Sequence, residues 1–458
     1  MELAKTLTDQ VRGQVLDPAS EGYEQARSVW NGTVERRPAA IVKATEVGDV
    51  IAAVRAARRT GLDLAIRCGG HSIQGLSTCD DGILLDLSGM REVRVDPEAR
   101  IAEVGGGALL ADLDRASMAH GLVTPTGTVS HTGVAGLALG GGLGRLMRKH
   151  GATCDNIAWV DLVTADGELI RVSEDEEPEL FWGIRGAGSN FGVVTRFGFA
   201  LHPQNETCWG AIAIHAPEDA REVLAFYADY APAVPDAMIC IASLGTLDAG
   251  GPFPPELIGR KAIVLSASHC GDTEEEAAAA TEPMRSFGSP LHTMFVGLPY
   301  LFFQGMMDAA YPWGGRFYDK GGYLDALTGD VVDTMLEQHA AAAPGNSLAL
   351  FGLGGAFGRV PEDAMAFSGR NAPFFMNLET RWDDPADDEQ RVGWGRTVGR
   401  AMTPHFSNAN YINAVEAGEA DSIRRAYGDE KYKRLIELKR RWDPDNVFRL
   451  NHNIDPRG

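Results

Sequence analysis

The chain has 458 residues, 44% hydrophobic and 23% charged, which suits a folded protein with more core than one ordinary domain holds. Its 42 Lys and Arg stand against 63 Asp and Glu, a net charge of −21 that repels nucleic acid and anionic membrane surfaces. Six scattered cysteines without a Cys-x-x-Cys pair, and eleven histidines without ligand spacing, argue against a zinc site, another metal centre or a disulfide scaffold.

The first ten residues lack a basic stretch followed by an apolar core, and no apolar run is long enough to span a bilayer; a cytoplasmic protein is expected. Thr45 is placed to cap a helix in which Val47, Val50, Ile51 and Val54 recur at helical spacing, and Gly61 to end it. A strand over 62–67 runs into the turn Cys68-Gly69-Gly70-His71, and 82–87 and 100–104 read as further strands. An amphipathic helix between Gly107 and Gly121 carries Leu109, Leu110, Leu113 and Met118. Runs over 157–164 and 168–172 meet through Asp166-Gly167, a hairpin signal.

Between 126 and 144 the chain is rich in glycine, which lets backbone amides approach a ligand closely and cradle a diphosphate, or else packs strands tightly on helices. From about 205 the texture shifts to wider-spaced strands, proline-marked loops and an acidic, alanine-rich helix near 274–280, as in a second domain. The span 429–442 is a charged amphipathic helix with Leu435, Ile436 and Leu438 inward, ended by the turn Asp443-Pro444-Asp445-Asn446.

Four ordered segments carry a resemblance. They are Arg67-Cys68-Gly69-Gly70-His71-Ser72; Gly133-Val134-Ala135-Gly136 through Gly144-Arg145, with Asp155-Asn156; Glu179-Leu180-Phe181-Trp182 through Phe191-Gly192; and Tyr411-Ile412-Asn413 with 443–451. Together they resemble the berberine bridge enzyme-like flavoproteins, most of all the 6-hydroxy-D-nicotine oxidase-like members. The resemblance implies an α+β, two-domain vanillyl-alcohol oxidase (PCMH-type) FAD-binding fold. Residues 1–205 would form the FAD domain, completed by 411–458, and 206–410 a substrate domain built on an antiparallel sheet. No Gly-x-Gly-x-x-Gly opens a helix after the first strand, so a Rossmann fold is not expected.

The resemblance further implies FAD bonded covalently, as an 8α-histidyl flavin, through His71, a nucleophilic imidazole in a glycine turn. The position of a second, cysteinyl link in some relatives is Val129 here, so one link is expected. The flavin envelope would draw on Arg67, Gly69, Gly70, Ser72 and Gly75, then Gly127, Thr128, Gly133, Gly136, Gly141, Gly142, Asn156 and Val194. Asn413 and Asn453 would approach from the C-terminal side.

Asn413, Tyr411, Tyr318 and His131 are the candidate catalytic residues. Some relatives end the fourth segment's Tyr-x-Asn motif on a tyrosine base, where this chain has Ala414, and the pocket strand 348–353 is apolar. Either no strong base is needed, or it comes from Tyr300, Tyr318, Lys320, Tyr323 or Glu379. The expected activity is an oxidase that takes a hydride from a small hydrophobic substrate (an alkaloid, aromatic or polyketide-like metabolite) and passes electrons to O2, giving H2O2. The alternatives are an oxidase of carbohydrate alcohols, a flavin oxygenase of polyketide assembly, or a flavin-binding protein without catalysis. No nucleic-acid or membrane partner is expected, and the chain would be a monomer or homodimer.

Overall fold

The computed structural model describes residues 2–416 and 420–458. Helix Val47–Thr60 lays Val50, Ala53, Val54 and Ala57 on a sheet ordered Gln14–Leu16, Ala40–Lys43, Ile83–Asp86, Leu64–Arg67, the last three strands parallel. Gly61 ends the helix at φ 70°, as expected from sequence, but Thr45 is not its cap. The Asp49 carboxylate, one turn in, accepts from the amides of Thr45 (2.8 Å) and Glu46 (3.3 Å) and from the Thr45 hydroxyl (3.0 Å). An ionised acid in the first turn satisfies several orphan donors and the helix dipole at once, which one hydroxyl cannot.

A second sheet, fully antiparallel, runs Val93–Asp96, Ile101–Gly105, Val193–Ala200, Ile157–Val163, Leu169–Ser173. Its last two strands are the hairpin closed at Asp166-Gly167. The strand Val93–Asp96 escapes the sequence reading because Arg94 and Asp96 break its apolar run, as befits an edge.

The largest sheet has seven antiparallel strands, ordered His292–Pro299, Thr207–His215, Lys261–His269, Met238–Thr246, Asn346–Gly352, Phe374–Trp382, Arg316–Leu324. One face is sealed by helices Ala220–Ala233, Gly329–Ala340 and Asp388–Met402, whose apolar stripes meet Ala242, Leu244, Leu348, Leu350, Met376 and Leu378. Residues one place along each strand point to the other face. The architecture is the α+β, PCMH-type fold expected from sequence. Among the described residues no helix is long and apolar enough to cross a membrane.

The chain's end returns to the N-terminal sheets. Helix Asp429–Trp442 matches its expected bounds and buries Lys439, whose ammonium donates to Asp443 Oδ2 (2.8 Å) and to the carbonyls of Asn190 (2.7 Å) and Phe448 (2.8 Å). Asn190 in turn donates to the His452 carbonyl and accepts from the Ile454 amide. Removing one partner of a buried ion pair strands the other. Lys439→Met is therefore expected to lower unfolding stability by about 3–5 kcal/mol, read from denaturant melts.

Candidate functional site

Strand Leu64–Arg67 delivers the chain into the 68–75 turn. Gly69 and Gly133 lie back to back: a β-carbon on either would collide with the other's backbone amide, and one on Gly133 also with Cys68. Two distant glycine segments are thereby pressed together, and His71 and His131 project from the same junction. His71 Nε2 and His131 Nδ1 are 2.7 Å apart, joined by a hydrogen bond. The His71 ring stacks on Trp30 at 4.5 Å, Trp30 stacks on Phe317 at 4.1 Å, and Trp313 stands edge-on to His71 at 6.3 Å. Burial, reinforced by His131, pushes the His71 pKa down to about 3, so its imidazole is neutral and nucleophilic.

The turn is held through its carbonyls and side chains. Trp30 donates its amide to the Gly70 carbonyl, Asn31 donates to Ile73, and the Ser72 hydroxyl accepts from the Leu76 amide. The amides of Gly70, His71, Ser72 and Ile73 donate to no group among the described residues. Gly136, in helix Val134–Leu139, is exposed with open space above its α-carbon. The Asn453 Oδ1 and His452 Nδ1 atoms are buried without partners among the described residues. Unpaired amides, an open glycine and orphaned buried polar atoms fit a polar ligand such as a flavin dinucleotide.

The other envelope residues fall into two groups. Thr128 is half-buried before Val129, and Gly127 rests on Leu110 and Leu137. Gly75 abuts Val34, Gly141 abuts Phe367, Gly142 abuts Thr153, and Val194 is buried with its carbonyl against Gly106, so these four pack the walls. Two side-chain expectations are corrected. The Arg67 guanidinium is spent on Asp86 (2.8 Å) and the Ser28 carbonyl (3.0 Å), a buried pair rather than a free diphosphate ligand. The Asn156 amide donates to the carbonyls of His150 and Ala152 and accepts from His202, so it ties a turn.

From the C-terminal side, Asn413 donates to the Leu137 carbonyl (3.3 Å) and the Tyr411 hydroxyl (3.0 Å), packing where only Gly140 leaves room. Tyr411 lies edge-on between Phe367 and Phe375, and burial pushes its pKa up to about 12, so it holds its proton. Cys68 stays a thiol; burial pushes it up to about 11.

The seven-stranded sheet supplies the facing wall. Phe317 stacks on Trp30, so residues in phase with Phe317 look toward the histidine loop, and Tyr318 looks away. Tyr318 lies beneath helix Asp388–Met402 against Gly395, its hydroxyl donating to Glu416 beside Lys320. This corrects Tyr318 as a catalytic candidate, and Lys320 with it. Tyr300 and Tyr323 are fully buried, Tyr323 in phase with Phe317 and edge-on to Phe375. Glu379 is the candidate on the facing wall, paired in register with Asp319, accepting from the Tyr311 hydroxyl (2.7 Å) and from Asn377 (3.0 Å). Asp319, desolvated beside Glu379, is raised well above the carboxylate range. Ser243, Ser347, Ile241 and Phe351 continue that partly exposed face.

Sequence reading missed Trp30, Phe317, Trp313, Tyr311 and Asp319. No local motif marks them; Trp30 meets Phe317, and Tyr311 meets Glu379, only across long stretches of chain.

The chain is similar to known proteins over nearly its whole length. Residues 38–173 match the family model of an FAD binding domain, and 410–455 that described as berberine and berberine like. An FAD-linked oxidoreductase of Dictyostelium discoideum is 33% identical, over 99% of this chain and 97% of that relative. (R)-6-hydroxynicotine oxidase of Paenarthrobacter nicotinovorans is 31% identical over 98% of both chains. The crystal structure of 6-hydroxy-D-nicotine oxidase from Arthrobacter nicotinovorans superposes with a TM-score of 0.85 at 26% identity, covering 97% of this chain and 98% of that one.

Proposed function

The chain belongs to the berberine-like family of FAD-linked oxidoreductases, and we propose that it is an oxidase that carries FAD covalently on His71 and takes a hydride from a small, largely apolar amine. The FAD supplies the acceptor for that hydride and the means of handing its electrons to O2 as H2O2. The observation that carries the reading is His71 itself: a neutral, stacked imidazole beside unpaired amides, at the point where two glycine segments meet.

The chain's own groups have separable tasks. The amides of Gly70, His71, Ser72 and Ile73 bind the dinucleotide's polar parts, with Asn413 and Asn453 on the far side. Trp30 and Trp313 close the histidine loop against water. On the sheet wall Ile241 and Phe351 receive an apolar body, while Glu379, held by Tyr311 and Asn377, accepts an N–H and draws a proton from it. An amine suits this wall better than a free sugar, which needs many hydrogen-bonding partners. The domain division proposed for these tasks is 1–205 with 411–458 for the flavin and 206–410 for the substrate.

The test is peroxide release by purified enzyme against a panel of hydrophobic amines, aromatic alcohols and oligosaccharides. Peroxide with amines, and a Glu379→Gln variant with at least about a tenfold lower kcat/KM, is the expected result. Turnover of oligosaccharides alone would overturn the substrate class; no peroxide from any compound would overturn the oxidase reading, leaving a dehydrogenase if the flavin bleaches with a substrate and a flavin-binding module if it does not.

A further inference from the structure

Between strand His292–Pro299 and strand Arg316–Leu324 the chain leaves the large sheet and crosses to the histidine junction. One turn of 3-10 helix there, Asp308–Ala310, is closed by the Tyr311 amide donating to the Asp308 carbonyl (3.2 Å). Its two ends reach His71 by different routes, at a ring nitrogen through His131 and at the ring face through Trp30. The Asp308 carboxylate accepts from the Ser130 amide (2.8 Å) and from the Ser130 hydroxyl. Ser130 and His131 are the central pair of a turn closed by the Thr132 amide on the Val129 carbonyl (3.1 Å), and His131 Nδ1 meets His71 Nε2. On the other route the Tyr311 carbonyl accepts from the Trp30 indole N–H (2.9 Å), and the Trp30 ring stacks on His71.

The two contacts do different things. Stacking on Trp30 sets the plane of the imidazole but lets it turn within that plane. A contact at Nε2 fixes where Nδ1 points, and His131 supplies it. The residue before His131 is held from two sides: the Ser130 carbonyl accepts from the Ala111 amide (2.8 Å), and Asp308 takes both the Ser130 amide and its hydroxyl. Two charge-assisted bonds from one carboxylate to one residue fix it in direction as well as in place. The same turn sends the Tyr311 hydroxyl to Glu379 (2.7 Å), so the proposed base and the histidine pair hang on one brace.

We propose that Asp308 is a positioning residue for flavin attachment: by holding Ser130 it places His131 so that His71 presents Nδ1 to the flavin methyl group. The proposal rests on the covalent reading given above. Attachment joins Nδ1 to the methyl carbon; one proton from the His71 N–H, one from the methyl group and two electrons pass to O2 as H2O2.

The test gives FAD, in air, to protein made in riboflavin-starved cells and follows the acid-stable FAD fraction by intact mass. Asp308→Ala is expected to attach FAD at least about tenfold more slowly than the wild type, while still binding it in acid-releasable form. Asp308→Asn should recover most of the rate, because its amide oxygen accepts from the Ser130 amide and its NH2 donates to the hydroxyl. Asp308→Ala combined with His131→Ala should be no slower than His131→Ala alone, since Asp308 acts through His131. Should Asp308→Ala fail to fold, Ser130→Ala, which removes only the hydroxyl contact, stands in and is expected to slow attachment about threefold. A wild-type rate in Asp308→Ala or its stand-in, an Asn variant as slow as the Ala variant, or an additive double variant overturns the proposal. Wild-type protein that never gains acid-stable FAD sinks the covalent reading and this proposal with it; equal rates in wild type and variant sink only this one.

Discussion

Acid-denatured wild-type protein is expected to keep the mass of one FAD in an intact-mass spectrum, and His71→Ala to lose all of it. Attack on an activated flavin methyl group needs an unprotonated nitrogen that faces the cofactor. Burial keeps the His71 imidazole neutral at working pH, and its Nε2 is occupied by His131, which leaves Nδ1 as the free nitrogen. Stacking on Trp30 fixes the plane of the ring, so Nδ1 is aimed rather than searching. With Val129 at the only other expected attachment point, no second residue can take over, and flavin in the variant must be released by acid. His131→Ala leaves Nδ1 in place and frees the ring to rotate, so slower and incomplete attachment is expected there. An unshifted wild-type mass with free FAD in the supernatant would remove His71 from this role while leaving the fold and the family intact.

What could be read beforehand, and what could not, follows from the range of the interactions. The glycine turn at 68–71, the Asp166-Gly167 hairpin and helix Asp429–Trp442 announce themselves because each is set by backbone sterics or periodicity within a few residues. Arg67 resisted because its partner, Asp86, comes from the neighbouring parallel strand, and a guanidinium beside glycines looks the same in sequence whether it binds a diphosphate or a buried acid. Tyr318 and Asp319 show the limit most sharply. Successive residues of a strand face opposite sides, so one places its ring under a helix and the next its carboxyl on the wall with Glu379. The phase could be fixed only by Phe317 stacking on Trp30, a contact between residues almost three hundred positions apart. The His71–His131 pair is likewise invisible in the chain, since sixty residues separate them and only the collision-tight packing of Gly69 on Gly133 brings them together.

That packing makes the second large effect a contrast between two glycines of one segment. Gly133→Ala would place a methyl group on the Gly69 amide and the Cys68 side chain, both fixed at the end of strand Leu64–Arg67. Backbone against backbone has no rotamer to escape into, so the loss should exceed the about 1–3 kcal/mol usual for overpacking, and apo-protein melts should show it. The same change would part His71 from His131, and covalent flavin should fall with stability. Gly136→Ala is the counterpart: its new β-carbon meets nothing within 4 Å among the described residues and lies inside a helix, where alanine is better than glycine by about 0.5–1 kcal/mol. The apo-protein should therefore melt no lower than the wild type, and the loss should appear only in flavin loading, because the space the methyl group takes is the space the cofactor needs. If Gly136→Ala loads FAD as the wild type does, the open face of helix Val134–Leu139 is not part of the flavin cradle. If Gly133→Ala melts unchanged, the two glycine segments are not pressed together, and the approach of His131 to His71 must be set by something else.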